Sequence, residues 1–300
     1  MISPPFLQQN DKITIISPAG KINPVYVEDA IALLQKWGFQ SSSGRSALHS
    51  FGSFSGPDNE RLYDLQQALD DPEVKAIFCS RGGYGTIRLL EQLSFQQFKN
   101  YPKWIIGYSD ITLLHAAANQ QGILSLHSPM CKHLSEWGED TSALYLKDTL
   151  YGILPDYQIP SHPFNKKGQT SGSIYGGNLA ILASLRGTNY DFNPENKILF
   201  IEDIGEKSYQ IERMMYNLKI SGILEKISGL IVGQFTGYQD NFDITKTPYQ
   251  AIYDLIAKYP YPVCFNFPVG HVKENYPIIM GAETSFIVSE KEVSLSFSSK

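Results

Sequence analysis

The first half of the chain alternates short apolar, β-branched runs with stretches of helical period, a rhythm that admits few folds other than a parallel sheet flanked by helices. The run Ile13-Thr14-Ile15-Ile16 is followed by a helical pattern from Val25 to about Trp37. A second helix spans about Asn59 to Leu69, and Ala76-Ile77-Phe78-Cys79 reads as a buried strand because nothing polar interrupts it. A helix from Ile87 to Leu93 and the strand Trp104-Ile105-Ile106 continue the alternation, and helix, strand and helix follow to about Tyr151.

Between Pro155 and Gly168 the chain is rich in Pro, Lys and polar residues with no clear period, and it reads as a linker. It separates a first α/β domain, residues 1–154, from a smaller mixed α/β domain, residues 169–300. In the second domain, strands are expected at Gly172 to Tyr175, Ile198 to Ile201 and Leu230 to Val232. Helices are expected at Asn178 to Leu185, Tyr209 to Leu218 and Tyr249 to Lys258, with short strands from Pro262 to Phe297. A length of 300 residues and 42% hydrophobic content are enough for two ordinary cores.

Charge narrows the function classes. A formal net charge of −5 leaves no broad basic surface for a phosphate backbone, which argues against nucleic-acid binding. No apolar run is long enough to span a bilayer, and Met1 to Gln9 lacks the pattern of a secretory signal. Cys79, Cys131 and Cys264 are odd in number and scattered, unlike a disulfide framework, so a reducing cytoplasm is the expected location.

The chemistry concentrates in Trp104-Ile105-Ile106-Gly107-Tyr108-Ser109-Asp110-Ile111-Thr112, where an apolar strand runs directly into a helix. Such a turn exposes its middle residue at the sheet edge, beside the positive helix end, so Ser109 can serve as a nucleophile. Equally, Ser109 or Asp110 can simply cap the helix. The turn Arg81-Gly82-Gly83-Tyr84-Gly85 also sits between a buried strand and a helix, so it should share that edge. Glycines let backbone N–H groups approach a ligand, and one of them with the Asp110 N–H could hold an oxyanion. Arg81 could take a carboxylate; without a ligand the segment is a tight turn with a solvated arginine.

A serine nucleophile needs a base, and the chain has 6 histidines: His49, His115, His127, His133, His162 and His271. His271 follows Phe267-Pro268-Val269-Gly270, where Pro and Gly shape a tight turn able to aim a side chain. His115 lies on a helix face with Ile111 and Leu114 and reads as packed, while His127 and His133 lack a further ligand set for a metal. Glu202-Asp203 ends a strand, and either acid could orient the base.

Taken together, these blocks resemble the LD-carboxypeptidase family of serine peptidases, which also includes the microcin C immunity peptidases. The likeness covers nearly the whole chain, from Ser17-Pro18-Ala19 and Ser80-Arg81-Gly82-Gly83-Tyr84-Gly85 through Gly107-Tyr108-Ser109-Asp110. It continues through Tyr175-Gly176-Gly177-Asn178, Ile201-Glu202-Asp203-Ile204 and Pro268-Val269-Gly270-His271. One departure is His127-Ser128-Pro129-Met130, where the family usually has Gly in second place.

The resemblance implies a flavodoxin-like N-terminal domain and an active site in the cleft between the domains. It makes Ser109 the nucleophile, His271 the base and Glu202 the orienting acid, with Gly83 and Asp110 N–H groups as the oxyanion hole and no metal or cofactor. Arg81, Gly82 and Asn178 are expected to contact the substrate, a murein tetrapeptide cut before its terminal D-Ala during cell-wall recycling. Family precedent adds a homodimer. Rival readings are cleavage of a peptidyl-nucleotide, a non-catalytic small-ligand module, and a cysteine hydrolase using Cys79 or Cys131.

Overall fold

In the computed structural model, which describes residues 1–238 and 246–298, the chain divides into two compact units. The first comprises residues 1–153 with 276–280, the second residues 154–275 with 281–300.

The first unit contains β1 (Lys12–Ile16), α1 (Pro24–Lys36), β2 (Gln40–Ser43), α2 (Asp58–Asp70), β3 (Val74–Cys79), α3 (Gln96–Asn100), β4 (Trp104–Gly107), α4 (Thr112–Gln120), β5 (Ser125–His127), α5 (Cys131–Trp137) and α6 (Thr141–Leu150). β2, β1, β3, β4 and β5 lie side by side in that order, all parallel, and Ile278–Met280 adds an antiparallel edge next to β5. This is the flavodoxin-like order, in which ligands meet the carboxyl ends of the strands. Ile13, Ile15, Ile77, Phe78, Ile105 and Ile106 are fully buried in it, each contributing about 1.5–3 kcal/mol by leaving water.

Helix α1 shows how the local signals act together. Asn23 caps it by accepting from the Val25 N–H at 3.2 Å, Pro24 fixes the first turn, and Val27, Ala30 and Leu34 face the core. Helix α2 uses the same spacing with a difference: its buried stripe holds Arg61 and Asp64 beside Leu65 and Ala68.

The helix expected over Ile87 to Leu93 is instead two short 3₁₀ turns, Thr86–Arg88 and Leu90–Gln92. The N–H groups of Arg88, Leu89 and Gln92 each reach back three residues rather than four. The run starts at Gly85 in a left-handed conformation and ends where Leu93 is extended, too short a span to nucleate an α-helix.

In the second unit, β6 (Asp156–Pro160), β7 (Gly168–Asn178), α7 (Leu179–Ser184), β8 (Ile198–Ile204), α8 (Ser208–Ile220), α9 (Ile223–Lys226), β9 (Gly229–Thr236), α10 (Pro248–Ile256) and β10 (Val263–Phe265) come first. β11 is the edge strand Ile278–Met280 of the first unit, and β12 (Glu283–Val288) and β13 (Glu292–Phe297) finish the chain. The sheet order is β10-β9-β8-β7-β12-β13-β6, parallel among the first four strands and antiparallel beyond β7. Leu199, Ile201, Ile211, Met215, Leu230, Val232, Ile252 and Phe265 belong to its core.

The stretch 155–168, read from sequence as a linker, lies in this second unit and carries β6. β6 pairs with β13 at the sheet edge, and Lys166 exchanges backbone hydrogen bonds with Val263. Only Tyr157 of the strand is fully buried, so the alternation that marks a half-buried strand is too faint to read. Among the described residues no helix is long and apolar enough to cross a membrane.

Candidate active site

The buried strand β4 ends at Gly107, and the chain turns into α4 through Tyr108 and a 3₁₀ turn at Ser109–Ile111. Ser109 sits at the bend with φ +65°, in the left-handed region that costs a non-glycine residue about 1–3 kcal/mol. That strain is held by the surroundings. The Gly107 carbonyl accepts from the Ser128 N–H at 3.2 Å and from His115 Nε2 at 2.8 Å. His115 Nδ1 lies 2.9 Å from Ser125 Oγ, and complete burial lowers the imidazole to about 4, against a weaker upward pull from the Gly107 carbonyl. His115 is therefore a neutral brace beneath the turn, donating through Nε2 and accepting through Nδ1.

The glycine turn after β3 closes on the same point. A Cβ added to Gly82 would lie 2.7 Å from Ser109 Cβ, 2.9 Å from Ser109 Oγ and 3.0 Å from the Asp110 nitrogen, so no larger residue fits without displacing the serine. Gly83 follows at φ +100°, and the Gly82 carbonyl is tied by the Gly20 N–H at 3.0 Å. The exposed Arg81 donates from Nη1 to the Lys21 carbonyl at 2.6 Å. Ser109, Asp110, Gly82 and Gly83 thus share one edge of the sheet, as two turns following adjacent parallel strands must.

Two side chains whose roles the sequence did not reveal, those of Asp110 and Arg61, hold this corner together. The Asp110 side chain, 1% exposed, accepts from the Thr86 N–H at 2.9 Å. Burial raises its pKa, opposed by that amide and by the charge of Arg61. Arg61, also 1% exposed, donates to the carbonyls of Gly56 at 3.0 Å, Gly85 at 3.1 Å and Pro18, and pairs with Asp58. Its guanidinium lies 4.9 Å from the centre of the Phe54 ring. The readable signal for Arg61 is a cation on the apolar stripe that continues through Leu65 and Ala68.

In the second unit Glu202 and His271 meet. Glu202, fully buried on β8, accepts from His271 Nδ1 at 2.8 Å. A carboxylate accepts only, so Nδ1 carries the proton and the lone pair of the imidazole is presented at Nε2. Burial works to lower the His271 pKa, but the charge and hydrogen bond of Glu202, helped by Asp203, outweigh it, and the net shift is upward. Gly270, at φ +130°, lets the turn pass close by: a Cβ there would lie 3.0 Å from Glu202 Oε2. Its N–H donates to Asn275 Oδ1 at 2.9 Å.

The residues alone left Glu202 and Asp203 open and the resemblance pointed to Glu202; it is Glu202 that accepts from His271, while Asp203 turns to α7. Asp203 accepts from Asn178 Nδ2 at 2.8 Å and from the Ala180 N–H at 3.0 Å, at the start of α7. Burial, then the neighbouring Glu202 charge, raise it to about 6. Asn178, expected to touch substrate, is 6% exposed and also caps α7 through the Ile181 N–H at 3.2 Å. Its side-chain amide bridges Asp203 and the first turn of α7.

The thiols are poor nucleophiles. Cys79 and Cys131 are completely buried, and burial pushes both well above the usual thiol range. His133 Nε2 pairs with Asp140 Oδ1 at 3.0 Å, and His127 packs its ring 5.7 Å from that of Tyr108.

The LD-carboxypeptidase N-terminal domain model matches residues 13–128, and the LD-carboxypeptidase C-terminal domain model matches residues 171–286. A probable murein peptide carboxypeptidase of Bacillus subtilis is 33% identical over 297 residues, covering 96% of this chain and 92% of the relative. The murein tetrapeptide carboxypeptidase of Pseudomonas aeruginosa is 29% identical over 276 residues, covering 88% and 89%. The crystal structure of a muramoyltetrapeptide carboxypeptidase from Oxalobacter formigenes superimposes with a TM-score of 0.87 at 27% identity, covering 95% of this chain and 98% of that one. The microcin C7 self-immunity protein MccF, solved with glutamyl sulfamoyl guanosine, shares the fold with a TM-score of 0.85 at 22% identity over 97% of each chain. With both domain models matched in order over most of its length, the chain belongs to the LD-carboxypeptidase family.

Proposed function

We propose that the protein is a serine carboxypeptidase that releases the terminal D-Ala of a murein tetrapeptide, with Ser109 as nucleophile, His271 as base and Glu202 as orienting acid. His271 Nε2 takes the Ser109 hydroxyl proton as Oγ attacks the carbonyl carbon before the D-residue. The oxygen that becomes negative is held by the Gly83 and Asp110 N–H groups. The imidazolium then protonates the departing D-Ala nitrogen; a water, deprotonated by the same imidazole, attacks the acyl carbonyl, and the imidazolium returns that proton to Ser109 Oγ as the acyl–oxygen bond breaks. Side chains, backbone amides and water suffice for every step.

The observation that carries this reading is the Glu202–His271 hydrogen bond, which fixes the imidazole in the tautomer a serine nucleophile needs. The strained Ser109 and the family membership support it. Substrate contacts are assigned to Arg81 and to the Gly82 backbone, with the peptide's terminal carboxylate as the partner of Arg81. Arg81→Ala is expected to raise KM with little change in kcat. The buried, unpaired cysteines suit a reducing cytoplasm, where recycled murein peptides are found, and a homodimer is the expected assembly.

Free D-Ala should appear when the purified protein is incubated with an L,D-tetrapeptide and should be absent with Ser109→Ala. Cleavage of a peptidyl-nucleotide in place of the tetrapeptide would move the assignment to the immunity-peptidase branch; cleavage of neither would remove it.

A further inference from the structure

One peptide group beside the proposed oxyanion hole is gripped from both ends. The link between Gly85 and Thr86 has its carbonyl oxygen 3.1 Å from Arg61 Nη1 and its N–H 2.9 Å from Asp110 Oδ2. The cation meets the negative end of the peptide dipole and the carboxylate meets the positive end, so both charges act in the same sense. Arg61 and Asp110 are each 1% exposed, which removes the solvent screening that weakens such contacts at a surface. Asp110 is also the residue whose own N–H is assigned to the oxyanion.

The grip reaches the glycine turn by two routes. Gly85 lies on the same short turn as Gly82 and Gly83, so fixing Gly85 fixes the far end of that turn. Arg61 Nη1 also holds the Pro18 carbonyl, and Gly20, two residues on, holds the Gly82 carbonyl at 3.0 Å. Gly85 itself is built for the contact: at φ +135° an added Cβ would lie 2.9 Å from Arg61 Nη1 and 3.0 Å from the Phe54 ring. Nε and Nη2 of Arg61 hold Gly56 and Asp58, while Nη1 is shared between the Pro18 and Gly85 carbonyls, on the two segments that lead to Gly82.

We propose that the Asp110 carboxylate and the Arg61 guanidinium are positioning residues that clamp the Gly85–Thr86 peptide and so set the Gly83 N–H at the distance from Ser109 that oxyanion stabilisation requires. The inference rests on the reading of Ser109 as the nucleophile. Neither side chain touches substrate. Their loss loosens the hole while leaving the peptide-binding contacts in place, and a misplacement of roughly 1 Å is enough to cost about 100-fold in rate.

The test compares wild type, Asp110→Ala, Asp110→Asn and Gly85→Ala, using tetrapeptide turnover and the rate at which a fluorophosphonate modifies Ser109. Asp110→Ala should lower kcat about 30- to 100-fold with KM within about twofold, and slow phosphonylation in proportion. Asp110→Asn keeps an acceptor for the Thr86 N–H and should recover most of that loss. Gly85→Ala, which displaces the clamp from the Arg61 end, should mimic Asp110→Ala, and it carries the test alone if Asp110→Ala does not fold. A folded Asp110→Ala, or failing that Gly85→Ala, that turns over and is phosphonylated like wild type would overturn the clamp. So would a defect confined to KM, or an Asp110→Asn variant as impaired as Asp110→Ala. A wild type that is phosphonylated but does not cleave tetrapeptide leaves the clamp testable by phosphonylation alone, whereas a wild type never modified at Ser109 defeats the reading of the site itself.

Discussion

His271 donates from Nδ1 to a Glu202 carboxylate that solvent does not reach, at 2.8 Å. Because Glu202 favours the charged imidazole, the His271 pKa lies above its ordinary 6.5. The proposed base acts as the neutral ring, so kcat/KM should rise with pH through an apparent pKa above that value. The stability contributed by the charged pair has the same origin: it is complete below the unfolded pKa of about 6.5 and is lost as pH rises through the higher folded one. Glu202→Gln should move the acidic limb of the rate profile to lower pH and reduce kcat by about 10³- to 10⁴-fold. A pH–rate profile of both proteins checks this, and an unmoved limb would contradict it.

Backbone strain at Ser109 gives a prediction of opposite sign for stability and activity. Ser109→Gly and Ser109→Ala both remove the hydroxyl, but only glycine accepts φ +65° without strain. Ser109→Gly should be the more stable of the two inactive variants by about 1 kcal/mol in denaturant unfolding. Equal stability would mean that the turn is not strained.

Gly82→Ala should be folded and nearly inactive. Its Cβ would compete for space with Ser109 Oγ at 2.9 Å, so kcat should fall at least about 100-fold. Steady-state kinetics, with circular dichroism to establish folding, decides the matter.

His115 predicts an acid-side weakness in the first unit. Its folded pKa of about 4 lies below the ordinary 6.5, so protonation favours unfolding. The stability it contributes is present above 6.5 and is lost as pH falls toward 4, by about 3 kcal/mol in all. Urea midpoints measured across that range should fall steeply for wild type and less steeply for His115→Gln.

The alternating strands and helices were legible because each carries its own period: β3 and β4 are unbroken apolar runs, and α1 repeats at Val27, Ala30 and Leu34. So was the turn at Ser109, whose strand-to-helix passage needs only local signals. β6 was hidden because an edge strand with one buried residue has almost no pattern, and the 3₁₀ turns after Gly85 were hidden because helical spacing does not reveal which carbonyl an amide will reach. The choice of Glu202 over Asp203 and the grip of Arg61 and Asp110 on one peptide depend on residues far apart in sequence. No local period encodes them.

The most direct measurement is the site and rate of phosphonylation by a fluorophosphonate, read by peptide mapping in wild type and in His271→Ala. Modification of Ser109 in wild type, slowed at least about 100-fold in His271→Ala, is the predicted result. Modification at another residue, or equal rates in the two proteins, would show that Ser109 and His271 do not act on one another.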